Sequence, residues 1–170
     1  MKKSLLLSFF LPPAKGGMEN YFLNLSSRLP SDKIVWLAAP QSGAEKFDSK
    51  QPFKIIRCSY QSFLRFFKLT FLSLYFKLKK FIAAEAIECI WCGHIFPLAI
   101  TAHYLKKFHG FPYIVFTHGR DIFEIEQRRY KQYYFRKIAA SADYFIVTTD
   151  FMKRHLIKLG VAKDKIKKIP

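Results

Sequence analysis

The sequence predicts an α/β domain of Rossmann-like type, a mostly parallel sheet with helices on both faces. Three observations predict it. Short apolar runs suited to buried strands alternate with longer stretches of helical periodicity. Turn-forming residues mark most junctions. The chain has 170 residues, 51 % of them hydrophobic, enough for one domain with a sizeable core.

Residues 5–10 form a continuous apolar run, as expected of a central parallel strand. A Pro/Gly loop follows, and then Met18, Tyr21, Phe22, Leu25 and Leu29 recur at helical spacing. Residues 34–39 are a second strand, 41–52 a polar loop and 54–58 a third, shorter strand. Residues 63–81 read as a long helix whose stripe is Phe63, Phe67, Phe71, Leu74, Leu78 and Phe81. Further strands are predicted over 87–92, 112–117, 144–148 and 166–169. Helices are predicted over 96–108, 127–140 and 151–159. No internal repeat, low-complexity tract or linker interrupts the series, so residues 1–170 are read as one domain.

The formal charge is +17, from 29 Lys and Arg against 12 Asp and Glu. This attracts anionic partners without specifying a fold. Cys89 and Cys92 form a C-x-x-C, but residues three apart on a strand point to opposite faces. They read as reduced core cysteines, and with Cys58 the odd count gives no disulfide framework. Met1-Lys2-Lys3 and the apolar run behind it imitate a secretory signal. No A-x-A cleavage pattern follows, which favours a first buried strand. No apolar stretch approaches the ~20 residues needed to span a bilayer.

In open parallel sheets, ligands bind beyond the carboxyl ends of the strands. Two loops leave such ends. The first carries Gly16-Gly17 just before a helix, where the backbone can approach a ligand closely and free amides suit a diphosphate. A plain tight turn is the competing reading, and the G-x-G-x-x-G fingerprint is absent. The second is Thr117-His118-Gly119-Arg120-Asp121. His118 could donate a hydrogen bond to a sugar hydroxyl or to an oxygen gaining charge, or could simply tether the loop. Arg120 and Asp121 fit a local ion pair equally well. His94 and His109 are weaker candidates. No histidine pair and no Asp-x-Asp stands at metal-ligand spacing, so no metal or other cofactor is expected.

These segments carry a resemblance. FLPPAKGGMENYFLNLSSRL resembles the opening strand and GGxE loop of retaining glycosyltransferases of family 4. YIVFTHGRD resembles their H-G-x-D element, and SADYFIVTTDFMKRHLIKLGVAKDKIKKIP their A-D-x-x-I/V run through to the strand ending in Ile-Pro. The resemblance implies one half of a GT-B fold, the N-terminal, acceptor-side domain of an enzyme using a nucleotide-sugar donor. By similarity, Gly16 and Gly17 would meet the donor diphosphate, and His118 and Asp121 would be the catalytic residues, His118 contacting the transferred sugar and Asp121 lying nearby. Glu19 matches the GGxE acid, with a role toward acceptor or helix start, and Arg120 is a possible acceptor contact. Thr149 stands where the family usually has Ser. The family's donor-binding C-terminal domain would follow residue 170. The chain is therefore expected to be inactive alone, as an excised domain, a truncated reading frame or one subunit of a split enzyme.

Two basic, aromatic-rich segments suggest a peripheral membrane surface on the cytoplasmic side: Arg65, Lys68, Lys77, Lys79 and Lys80 in one, Arg128, Arg129 and Lys131 in the other. The resemblance agrees, since many relatives glycosylate lipid-linked acceptors in lipopolysaccharide or exopolysaccharide synthesis. A core-packed helix with a solvated lysine face is the plainer reading of residues 63–81. Nucleic acid is not favoured, because no RNP-like, KH or helix-turn-helix signature occurs. A non-catalytic module that holds an acceptor or partner is a further alternative.

Overall fold

A computed structural model describes residues 1–9, 11–59 and 70–169. Seven parallel strands form a sheet in the order β3-β2-β1-β4-β5-β6-β7 with helices around it. This is the Rossmann-like α/β architecture that the alternating pattern predicts. The chain divides into two compact units, residues 1–89 and 90–170.

The first unit contains β1 (Ser4–Ser8), α1 (Gly17–Ser26), β2 (Ile34–Ala38), α2 (Ala44–Asp48), β3 (Lys54–Arg57) and α3 (Thr70–Ala84). β1 and β2 pair in register Leu5 to Val35 and Leu7 to Leu37, and every residue of both is buried. Burial on both faces explains why these strands read as continuous apolar runs rather than alternating ones. Trp36 carries the one polar handle at the centre of β2. Its indole N–H donates to Ser26 Oγ on α1 at 2.8 Å, and its ring lies 4.7 Å from that of Phe53. Leu74, Leu78 and Ile82 form the buried stripe of α3, spaced one turn apart. The predicted stripe differs, since Phe71 and Phe81 are only half-buried. Its members Phe63 and Phe67 lie outside the described residues, as do Arg65 and Lys68. The expected polar loop over 41–52 contains α2, a short helix of good formers, Ala44-Glu45-Lys46, anchored by buried Ala44.

The second unit begins inside β4 (Cys89–Cys92) and continues with α4 (Ile100–His109), β5 (Tyr113–Phe116), α5 (Gly119–Glu126), α6 (Arg129–Ser141), β6 (Tyr144–Val147), α7 (Asp150–Lys158) and β7 (Ile166–Lys168). The register runs Ile90 to Tyr113, Ile114 to Tyr144 and Phe145 to Ile166. Cys89 and Cys92 are free, buried strand residues. The helix expected over 96–108 opens with a π-type turn, Ile95–Ala99, and becomes regular at Ile100. The larger difference is α5. The Thr117–Asp121 segment, expected to be a loop, turns directly into this helix. Asp121 stands in its first turn, where a carboxylate suits the amide dipoles, and Ile122 and Ile125 bury one face.

Candidate active site

Each of the two expected loops is defined within its own unit. In the first, the segment after β1 is pinned by side chains from the carboxyl ends of its neighbours. Arg57, the last residue of β3, gives its Nε and Nη2 to the two carboxylate oxygens of Asp48 at 3.0 and 2.6 Å. It also donates to the carbonyls of Ala39 at 3.1 Å and Pro12 at 2.6 Å. The Gln41 amide donates to Leu11 O at 3.0 Å and accepts from the Ala14 amide at 3.1 Å. The planar guanidinium can serve three elements at once because its donors form a fixed fork. Reasoning from sequence missed Arg57, Gln41 and Asp48. An arginine at a strand end beside a proline-rich loop was the available signal.

The glycines this segment delivers differ in what requires them. Gly16 is the N-cap of α1, with φ near 180°, which any residue adopts. A Cβ there would stand 2.2 Å from Glu19 Oε2. Glu19, three residues on and buried, folds its carboxylate back against Gly16, placing an acid in the first turn of α1. Gly17 is exposed, and a Cβ added to it would meet nothing within 4 Å among the described residues. Alanine would serve the helix better there by about 0.5–1 kcal/mol. Nothing in the packing of the described residues accounts for glycine at 17.

In the second unit, His118 is the N-cap of α5, directly beyond β5. Thr117 fixes the approach: its amide and hydroxyl both give hydrogen bonds to Ile146 O of β6, at 3.0 and 3.1 Å. Three consecutive residues after β4 then meet the α5 start. Gly93 O accepts from the His118 ring. His94 lies edge-on to that ring, with centroids 6.3 Å apart. The Ile95 amide donates to Asp121 Oδ2 at 3.4 Å.

Burial pushes the His118 pKa down to about 4, His94 pushes the same way, and the Asp121 charge and Gly93 carbonyl only partly oppose them. His118 is therefore neutral at pH 7, with its single proton engaged by Gly93 O and its other nitrogen an acceptor. The sequence suggests a donor role for His118, and the neutral ring also offers an acceptor nitrogen. Burial raises the Asp121 pKa, against the Ile95 amide and the charge of His118.

The remaining sequence candidates scatter. Arg120 is 91 % exposed on its side chain and pairs with Glu124 at 3.3 Å, one turn along α5, instead of with Asp121. Lys131, expected on the exposed basic face, is 8 % exposed, bonded to Glu124 and set over the Phe96 ring. It faces inward because this side of α6 packs against α4 and α5. Arg128, Arg129, Lys79 and Lys80 are exposed, and Lys77 donates to Ser59 O at 2.8 Å. His109 is exposed at the end of α4. Thr149 caps α7, its hydroxyl accepting from the Met152 amide at 3.2 Å, the same work serine would do there. Among the described residues no cluster of three or more His, Cys, Asp or Glu could hold a metal ion, and no helix is long and apolar enough to cross a membrane.

The parallel sheet thus carries a glycine-bearing helix start after β1 and a half-buried, neutral histidine after β5. The sequence matches the profile of Glycosyltransferase Family 4 over residues 15–170, and the chain belongs to that family. No curated protein matches. Among solved structures, Anabaena HepE in complex with UDP and glucose superposes with a TM-score of 0.69 at 15 % identity, over 99 % of this chain and 44 % of that one. The lipopolysaccharide outer core galactosyltransferase WaaB gives 0.62 at 13 %, over 98 % and 44 %. A UDP-GlcNAc 2-epimerase from Neisseria meningitidis bound to UDP-GlcNAc gives 0.61 at 14 %, over 97 % and 46 %. These likenesses are of fold, and the chain spans less than half the length of each.

Proposed function

We propose that this domain forms the acceptor side of a glycosyltransferase. The enzyme would move a sugar from a nucleotide sugar to a glycan or lipid-linked acceptor with anomeric retention, in cell-envelope polysaccharide or glycolipid synthesis. Family membership supports transfer. HepE and the epimerase, whose structures hold UDP or a UDP-sugar, make a UDP-sugar the first donor to try. The donor-gripping half lies outside these 170 residues, a reading supported by the 44 % coverage of HepE.

The observation that carries the site is His118: half-buried, neutral and fixed at the carboxyl end of β5. Its acceptor nitrogen takes a hydrogen bond from a hydroxyl of the transferred sugar, which orients the ring for departure of the diphosphate. The first-turn amides of α1 stabilise the charge that the diphosphate gains, and Gly17 lets the phosphate come close. Asp121, held by the Ile95 amide, keeps the α5 start in place beside His118. The test is transfer of labelled sugar from UDP-sugars, by the chain alone and by the chain completed with its donor-binding half. The proposal expects turnover only in the second case. Turnover by the 170 residues alone would contradict it.

The same reading includes peripheral attachment to the cytoplasmic face of an anionic membrane. Two exposed helix faces support it. On α3, Leu72 and Phe76 stand beside Lys79 and Lys80, with Phe76 59 % exposed. On α6, Tyr130 and Tyr133 stand beside Arg129 and Arg136. Aromatic rings flanked by cations suit the interface between headgroups and acyl chains.

A further inference from the structure

His94 has no part in the mechanism above, and the sequence places it only among weaker candidates. The structure sets it against the site. It is 9 % exposed, and its Nδ1 stands 2.6 Å from the carbonyl of the preceding residue, Gly93. His118 donates to that same carbonyl. The two rings meet edge-on, with 6.3 Å between centroids and 71° between planes. The next residue, Ile95, holds Asp121. Gly93, His94 and Ile95 thus each touch or face a residue of the α5 start.

We propose that His94 is a positioning residue for His118. Its ring forms a wall that keeps water from the His118 imidazole and fixes the plane in which that imidazole meets a sugar hydroxyl. The catalytic consequence rests on the transfer reading above, but the coupling between the rings does not. Two effects of the wall act in one direction. Burial is the largest influence lowering the His118 pKa, and the neighbouring His94 lowers it further. The groups that oppose them are Asp121 and the Gly93 carbonyl. Asp121 is itself influenced by Glu124 and Lys131. Removing the His94 ring would admit water and delete the repulsion, and each change favours the imidazolium. A His94 that only supported the fold would change stability and leave this titration where it is.

The experiment is a histidine-selective NMR titration of the 170-residue chain, following the His118 ring from about pH 3.5 to 8 in wild type and three variants. Wild type is expected to titrate near pH 4. His94→Ala should raise the midpoint by about one pH unit or more. His94→Phe keeps a ring of similar size and loses only the repulsion, so its midpoint should rise clearly less than that of Ala. His94→Gln retains an N–H for Gly93 O without the ring and should rise as Ala does. It serves as the reading if His94→Ala does not fold. Unchanged midpoints in Ala and Gln would overturn the proposal, as would a rise in Phe equal to that in Ala. In the completed enzyme, His94→Ala should lose about ten-fold in turnover and His94→Phe should recover most of it. If His118→Ala retains turnover, the transfer reading fails while the titration still decides the coupling.

Discussion

The carboxylate of Glu19 lies where a side chain at residue 16 would have to go: a Cβ on Gly16 would fall 2.2 Å from Glu19 Oε2. Gly16→Ala should therefore push the buried carboxylate off the helix start, costing about 0.3–1 kcal/mol, the usual worth of an acid at a helix N-terminus. In a Glu19→Ala background the same substitution should cost much less. A denaturation double-mutant cycle measures the coupling, and additive effects would mean that Glu19 does not depend on the space at 16.

Gly17 should behave in the opposite way. Its Cβ position is open among the described residues, so Gly17→Ala and Gly17→Val should leave the fold intact, with Ala slightly stabilising. Turnover of the completed enzyme should fall by about 10²–10³ for Val, because the diphosphate loses close contact with the α1 amides. Thermal unfolding and a transfer assay on the same preparations check both halves. Full activity in Gly17→Val would return the glycine to a simple turn.

The depressed pKa of His118 sets a pH dependence. Folded His118 titrates at about 4, below the ordinary value of 6.5. Between these values the unfolded chain binds the extra proton, so stability is present above about pH 6.5 and is lost as pH falls toward 4. Asp121, whose folded pKa is raised, has the opposite sign and offsets part of the loss. His118→Phe should flatten the fall in Tm across this window. An unchanged slope would show that His118 is not the group responsible.

Membrane attachment predicts binding to vesicles containing anionic lipid and little binding to neutral ones, weakening as salt rises from about 0.05 to 0.5 M. Phe76→Ser with Lys79→Glu tests the α3 face, and Tyr133→Ser with Arg129→Glu the α6 face. Lys131→Glu is not a valid probe of the surface, because Lys131 is bonded to Glu124 inside the packing. Sedimentation that ignores both lipid charge and these substitutions would remove the proposal.

Where apolar residues are buried on both faces the sequence was readable, which is why β1 and β2 were located within two residues of their ends. It was less readable where one residue serves two purposes. Gly119 looks like a loop residue, yet it is the first residue of α5, and this hid the fact that His118 is a helix cap. The roles of Gly16 and Gly17 could not be separated by inspection, since only the position of the Glu19 carboxylate distinguishes them. The protonation state of His118 was equally hidden. It depends on burial and on Gly93 and His94, residues 24 or more positions away that the end of β4 brings alongside.

The central claim is that His118 handles the transferred sugar, and one measurement tests it most directly. Transfer of labelled sugar from a UDP-sugar to acceptor is followed for wild type and His118→Ala in the completed enzyme, with donor and acceptor saturating. His109→Ala, at an exposed position on α4, serves as the control. Loss of about 10²-fold or more in turnover for His118→Ala, with the fold and the control unaffected, is the predicted result. Near-normal turnover in His118→Ala would contradict the account and leave His118 as a residue that only tethers the start of α5.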